Sequence, residues 1–138
     1  MQLIEWSEEF SVGHQDIDGQ HKCLLDIVNT LALEIEQPSA KSLESILNSL
    51  VQYTAHHFSY EELIFKDAGY PESPSHKSSH RNFVMRVLEL KERFEQGQEV
   101  DVKKLYEYLT HWLLTHICVS DKKTFAWIDQ QQNKKLAP

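Results

Sequence analysis

Residues that turn a chain tightly are scarce in this sequence. Glycine and proline together supply only 8 of the 138 residues, about half their usual combined share of roughly 12%. A fold built from many short strands needs more turns than this, so the shortage favours long helices. The length fits a single domain over residues 1–138, with a core large enough to fold without disulfide bonds.

Apolar residues recur at helical spacing in four segments. Pro38 ends the first segment, and Ser39 or Ser42 can cap the second. Gly97 ends the third and Asp101 caps the fourth. The segments have short connections, which predicts an all-α fold: an up-down-up-down antiparallel four-helix bundle. The predicted parts are an irregular N-terminal arm over about 1–16, helices over about 17–36, 40–66, 74–95 and 101–120, and a tail over 121–138 that contains a short C-terminal helix.

The charge balance excludes some partners. There are 14 basic and 21 acidic side chains, a formal net charge of −7, and an acidic chain of this kind is a poor ligand for a phosphate backbone. No apolar run reaches the length of a membrane span, and the first residues lack a basic region followed by an apolar one. We therefore expect a cytoplasmic protein that neither enters membranes nor binds nucleic acid. We also expect a monomer. Cys23 and Cys118 are far apart in the sequence and are expected to be small reduced hydrophobic residues.

The sequence has eight histidines, and each of the four predicted helices contains at least one of them. His76 and His80 are four residues apart, which puts both imidazoles on one stripe of the third helix. His57 and Glu61 repeat this spacing on the second helix, and His21 offers a further imidazole from the first. These pairs can contribute to a metal site inside the bundle.

The fourth helix carries its candidate ligands at an irregular spacing. His116 and Asp121 are five residues apart, about 140° around an ideal helix. Both can point inward only if the helix changes its winding between them. We predict a distortion near residues 118–120.

A single pair at helical spacing is weak evidence, because most such pairs are solvated or hydrogen-bonded to each other. Here five histidines and two carboxylates come from all four helices of one bundle, and independent surface pairs need not converge in this way. The pattern predicts a metal centre, although imidazole and carboxylate ligands at these spacings also suit zinc or manganese.

Taken together, these motifs resemble those of the bacterial hemerythrins. The resemblance covers about residues 6–127, and Phe65 and His14 depart from the usual pattern. The matching segments, in order, are Asp18-Gly19-Gln20-His21, His57-Phe58-Ser59-Tyr60-Glu61-Glu62, Tyr70-Pro71, His76-x-x-x-His80 followed by Phe83, and Trp112-Leu113-x-x-His116-Ile117-x-x-x-Asp121.

The resemblance implies a non-haem di-iron centre. One iron would be bound by His76, His80 and His116, and the other by His21 and His57. The two irons would be bridged by Glu61, Asp121 and an oxide or hydroxide. The second iron then has one ligand fewer and an open position, which implies reversible binding of dioxygen for storage, delivery or sensing rather than an enzyme activity.

Around the open position the resemblance implies a dry apolar pocket. Its expected lining residues share a helix face with a ligand or lie next to one: Leu24, Trp112, Leu113 and Ile117. Glu62 is expected either to be solvated or to orient an imidazole. The remaining histidines are expected to bind no metal: His56 and His111 at or near the surface, and His14 in the arm.

Two other functions remain open at this point. A di-iron enzyme acting on peroxide or nitric oxide is the main alternative, although ferritin-like oxidases use Glu-x-x-His pairs, which this sequence lacks. The other is a redox or oxygen sensor, which would need a separate output partner. An oxygen-using enzyme or a signalling protein is the expected kind of partner.

Overall fold

The computed structural model describes residues 3–136, and within that range it contains helices and no strand. A single 3₁₀ turn, Glu8–Phe10, lies in the N-terminal arm. The α-helices are α1 (Gln15–Glu36), α2 (Ala40–Ala68), α3 (Ser73–Glu95), α4 (Val102–Thr115) and α5 (Lys122–Leu136), and a π-helical segment, His116–Asp121, joins the last two. Helix α1 packs against α2 and α4, and α2 packs against α3. The all-α four-helix bundle is confirmed.

The caps expected from the sequence are formed. The Ser39 side chain accepts a hydrogen bond from the Ser42 backbone N–H at 3.4 Å, and Asp101 accepts one from the Lys104 N–H at 3.1 Å. At the end of α2, Gly69 takes a left-handed conformation with φ of 70°, which costs glycine less than any other residue. Among residues 3–136 no helix is both long enough and apolar enough to cross a membrane.

The boundaries predicted from sequence need two corrections. Helix α1 begins at Gln15 instead of residue 17, because the Asp18 carboxylate holds the arm against its first turn: it accepts from the Ser11 hydroxyl at 2.6 Å and from the Val12 N–H at 2.8 Å. The segment after residue 120 is not a separate tail, since α4, the π segment and α5 form one continuous helical rod.

Two apolar clusters fill the bundle. The larger contains Leu24, Phe58, Phe83 and Leu113 among its buried members. The smaller contains residues from the arm, α1, α2 and α5 together with the turn after α2: Val12, Ile17, Phe65, Tyr70, Phe125 and Ile128.

A layer of buried polar side chains separates these clusters. On α1, His21 lies between Ile17 of the smaller cluster and Leu24 of the larger. On α2, Glu61 lies in the same way between Phe58 and Phe65. The apolar side chains on both sides remove this layer from water.

Candidate metal centre

The polar layer contains all seven side chains that the sequence singled out as metal ligands. Each is buried, and Glu61, Asp121 and His21 have no exposed surface. Their nitrogen and oxygen atoms form two overlapping groups, each with its donor atoms within 4.8 Å of one another. The larger group is Glu61, His76, His80, His116 and Asp121, and the smaller is His21, His57, Glu61 and Asp121.

The larger group has the spacing of ligands around a six-coordinate ion. The His116 Nε2 lies 3.1 Å from the His76 Nε2 and 2.9 Å from the His80 Nε2. The Asp121 Oδ1 lies 3.0 Å from the His76 Nε2 and 3.2 Å from the His116 Nε2. Two donors at right angles, each about 2.1 Å from a metal ion, are about 3.0 Å apart, so these atoms surround a space of the right size.

The smaller group shares its carboxylates with the larger one. The Asp121 Oδ2 lies 3.0 Å from the His21 Nε2, so the two oxygens of this residue face different groups. The Glu61 Oε1 lies 3.1 Å from the His57 Nε2 and 3.3 Å from the His80 Nε2, between one histidine of each group. The carboxylates thus lie between the two sets of imidazoles.

The donor set fits a bound cation because its buried polar atoms are otherwise unsatisfied. All four carboxylate oxygens of Glu61 and Asp121 are buried without a hydrogen-bond partner within the described residues, although they approach histidine nitrogens closely. Burying two neighbouring carboxyl groups costs free energy unless cations or hydrogen-bond donors compensate them. Metal ions between the imidazole nitrogens and these oxygens would compensate that cost.

Three further side chains fix the orientation of the imidazoles. The Nδ1 of His57 lies 2.6 Å from the Gln20 Oε1, that of His80 lies 3.3 Å from the Glu62 Oε2, and that of His76 lies 3.1 Å from the Thr124 Oγ1. An Nδ1–H that donates to an oxygen leaves the Nε2 lone pair free for a metal. Gln20, Glu62 and Thr124 are thus the acceptors that can hold three of the five imidazoles in this tautomer.

Two of these acceptors were missed by sequence reasoning. Gln20 directly precedes His21, but it serves an imidazole on another helix. Thr124 follows Asp121 by three residues, the spacing that places two side chains on one helix face, so that spacing was an available signal. For Glu62 the sequence left open a role in orienting an imidazole, and the structure places its carboxylate at His80.

The ionisation of the metal-free centre is set by burial and by neighbouring charges. Burial and the nearby His21 lower the pKa of His57 to about 3, and burial and His116 lower the pKa of His80 to about 2. Burial also acts to lower the pKa of His116, but the Asp121 and Glu61 carboxylates outweigh it and raise that pKa to about 9.

The two carboxyl groups respond in opposite directions. Burial favours the neutral form of Asp121, but its His116, His21 and His76 neighbours outweigh burial and hold the pKa well below its usual range. Burial and the Asp121 charge raise the pKa of Glu61. Without a metal, the centre therefore pairs a protonated His116 with an ionised Asp121.

The predicted distortion of the fourth helix is confirmed. The π-helical segment runs from His116 to Asp121 and includes residues 118–120. Its wider turn brings residues five apart to the same face, so both end residues are buried while Val119 between them is 61% exposed. This local rewinding places the carboxylate among the histidines.

The residues expected to form the pocket are mostly buried. Leu24, Leu113 and Ile117 are at most 1% exposed. Trp112 is partly exposed and stacks on the His116 ring, with centroids 4.5 Å apart and planes inclined by 11°. Of these four residues, Trp112 therefore has a direct contact with a candidate ligand.

The remaining histidines belong to neither donor group. His56 and His111 are exposed on α2 and α4. His14 precedes α1, where its Nε2 lies 3.0 Å from the Asp129 Oδ1 and its ring contacts Phe125. It ties the arm to α5, a contact that the sequence had not indicated.

Comparison with known proteins shows the same pattern along most of the chain. Residues 12–128 match the family described as "Hemerythrin HHE cation binding domain". A bacteriohemerythrin from Pseudomonas paraeruginosa is 35% identical over 117 residues, which is 85% of this chain and 76% of that protein. A bacteriohemerythrin from Stenotrophomonas maltophilia is 32% identical over 130 residues, which is 94% of this chain and 82% of that protein.

Solved structures agree with the fold. A wild-type hemerythrin superposes with a TM-score of 0.83 at 28% identity, covering 88% of this chain and 94% of that one. A leucine-to-tyrosine variant of a hemerythrin gives a TM-score of 0.87 at 26% identity, covering 93% and 98%. With its family match, its relatives and its bundle in agreement, the chain belongs to the hemerythrin HHE family.

Proposed function

We propose that this protein binds dioxygen reversibly at a non-haem di-iron centre. The observation that carries the proposal is the position of Asp121. Its Oδ1 faces His76 and His116 while its Oδ2 faces His21, which is how a carboxylate bridges two metal ions.

The proposed ligand assignment follows the two donor groups. His76, His80 and His116 would hold one iron, and His21 and His57 would hold the other. Glu61, Asp121 and an oxide or hydroxide would bridge the pair. The second iron receives one imidazole fewer, which leaves a position for an exogenous ligand. Ferrous iron held there would supply the reversible binding of dioxygen.

The number and composition of the donors favour iron over a structural zinc ion and over manganese. Structural zinc is almost always four-coordinate, whereas the larger group alone offers five donors. Manganese prefers oxygen ligands, while imidazole suits iron, and five of the seven residues are histidines. The relatives named bacteriohemerythrin agree with this choice.

The apolar residues beside the centre would protect the bound ligand. Reversible binding requires that the ligand is not protonated and lost, so water has to be excluded. Leu24, Leu113 and Ile117 are buried within four residues of a donor in the sequence, and Trp112 stacks on the His116 ring. We assign these four residues to the oxygen pocket. The iron held by His21 and His57 would have the open position, so Leu24, three residues after His21, is expected to border it most closely.

The test is a spectrum of protein reconstituted with ferrous iron, before and after exposure to air. Visible charge-transfer absorption that appears with air and disappears under vacuum is the expected result. Continuous consumption of dioxygen, or turnover of peroxide or nitric oxide, would instead favour a di-iron enzyme. We propose a monomeric carrier in the cytoplasm that supplies an oxygen-using enzyme or a signalling partner, and gel filtration of the iron-loaded protein tests the monomer.

A further inference from the structure

Thr124 is a buried hydroxyl between a candidate metal ligand and the π-helical segment. It has no exposed surface. Its Oγ1 lies 3.1 Å from the His76 Nδ1, and the hydroxyl donates to the Ser120 carbonyl oxygen at 2.9 Å. A threonine hydroxyl has one proton, and either the Ser120 carbonyl or the neighbouring Tyr70 oxygen can take it, which leaves an Oγ1 lone pair to accept from the His76 Nδ1–H.

This arrangement determines which nitrogen of His76 carries the proton. If the Nδ1 carries it, the Nε2 presents a lone pair, and that atom lies 3.1 Å from the His116 Nε2 and 3.0 Å from the Asp121 Oδ1. If the Nε2 carried the proton, the imidazole could not bind a metal there. The hydroxyl therefore selects the metal-binding tautomer.

The junction between the π segment and α5 supplies both the Asp121 carboxylate and this acceptor. Thr124 lies three residues after Asp121, and side chains at this spacing share a helix face. The π segment, which turns Asp121 inward, turns Thr124 inward with it. This single irregular turn thus positions the Asp121 carboxylate and also the hydroxyl that orients His76 of α3.

We propose that Thr124 is a positioning residue that holds His76 in its metal-binding tautomer. The proposal rests on metal binding by this centre, as proposed above. Loss of an outer hydrogen-bond partner of this kind typically weakens metal binding by about 10 to 100-fold, and a loss in this range is expected when the Thr124 hydroxyl is removed.

A cavity next to Thr124 allows this role to be separated from simple packing. It has a volume of about 160 Å³, and its lining includes Tyr70, Glu72, His76, Ser120 and Thr124. A water molecule occupies about 30 Å³. In Thr124→Ala, water from the cavity can enter the vacated space and accept from His76, whereas the equally bulky side chain of Thr124→Val excludes it.

A positioning role and a packing role for Thr124 therefore predict opposite orders of metal affinity for Thr124→Ala and Thr124→Val. A positioning hydroxyl gives wild type and Thr124→Ser the tightest binding, Thr124→Ala an intermediate value and Thr124→Val the weakest. A packing role makes Thr124→Ala the weakest, because it loses the most volume, and leaves Thr124→Val close to wild type.

The experiment measures Co²⁺ affinity of metal-free protein by competition with a chelator. The two donor groups would bind Co²⁺ in two steps. Only binding to the larger group, which contains His76, is expected to weaken in Thr124→Val, by about 10 to 100-fold. Nitrogen-15 NMR of His76 in the metal-free protein reports the tautomer directly, and loss of the Nδ1–H form is expected in Thr124→Val alone.

Thr54→Val is the matched control. Thr54 is also buried, and its hydroxyl donates to the Leu50 carbonyl at 2.7 Å, but it joins no imidazole among residues 3–136. It should lose similar stability without changing Co²⁺ affinity. Wild-type affinity in Thr124→Val, or weaker binding in Thr124→Ala than in Thr124→Val, would overturn the proposal while the proposed function stands. Failure of wild-type protein to bind Co²⁺ would overturn both.

Discussion

The affinity of the metal-free protein for a divalent cation should rise about tenfold for each pH unit from about pH 6.5 to about pH 8.5. The Asp121 and Glu61 carboxylates raise the pKa of His116 to about 9 against the effect of burial, so this ligand carries a proton throughout the range. A metal has to displace that proton. His57 and His80, with pKa values lowered to about 3 and about 2, are already neutral and add no dependence.

The size of the effect follows from this one proton. Over two pH units the affinity should increase about 100-fold, which is about 3 kcal/mol of binding free energy. The raised pKa of Glu61 can only make the slope steeper. The same proton stabilises the metal-free fold fully below about pH 6.5, the pKa of an unfolded histidine, and that stabilisation is lost as the pH rises through about 9.

The assay is Co²⁺ competition against a chelator of known pH dependence, at several pH values in this range. His116→Gln should bind Co²⁺ more weakly but with a smaller slope, because the titrating group is gone. A wild-type affinity that stays constant above pH 6.5 would show that His116 is neutral in the metal-free protein. That result would refute the charge pairing between His116 and Asp121.

Three further changes test the pocket and the helix ends. Leu113→Ser should shorten the lifetime of the oxygenated protein, measured as the decay of its visible absorption, because it admits water beside the centre, whereas Leu109→Ser, equally buried one turn away, should lose similar stability with an unchanged lifetime. Asp101→Ala should lower the free energy of unfolding in urea by about 1 kcal/mol through loss of the α4 cap, and an unchanged midpoint would contradict the role of that cap. Gly69→Ala should cost about 1 kcal/mol because its φ of 70° is left-handed, while Gly19→Ala, inside α1 with nothing within 4 Å of the added carbon, should be neutral or stabilising in the same thermal melts.

Most of the bundle could be predicted from local sequence. The periodicity of apolar residues gave four helices, and Ser39 and Asp101 marked two of their starts, because a cap depends on residues three positions away. The start of α1 was predicted too late, since it depends on Asp18 holding the arm. The pairing of His14 with Asp129, 115 residues away, had no local signal.

The sequence by itself determined which side chains face the centre. Helical periodicity is a local property, so the spacing of His76 and His80 gave their common face, and the five-residue gap between His116 and Asp121 required the π segment that is observed.

Only the tertiary structure decided how these groups meet. The acceptors of the imidazole protons, Gln20 and Thr124, lie 37 and 48 residues from His57 and His76, and the division of the Asp121 oxygens between two sets of histidines depends on the positions of other helices. The register of one helix against another is set by packing across the whole core, so no single segment of the sequence determines it. Protonation follows the same rule, because the pKa of His116 depends on carboxylates brought to it from α2 and from the far end of the π segment.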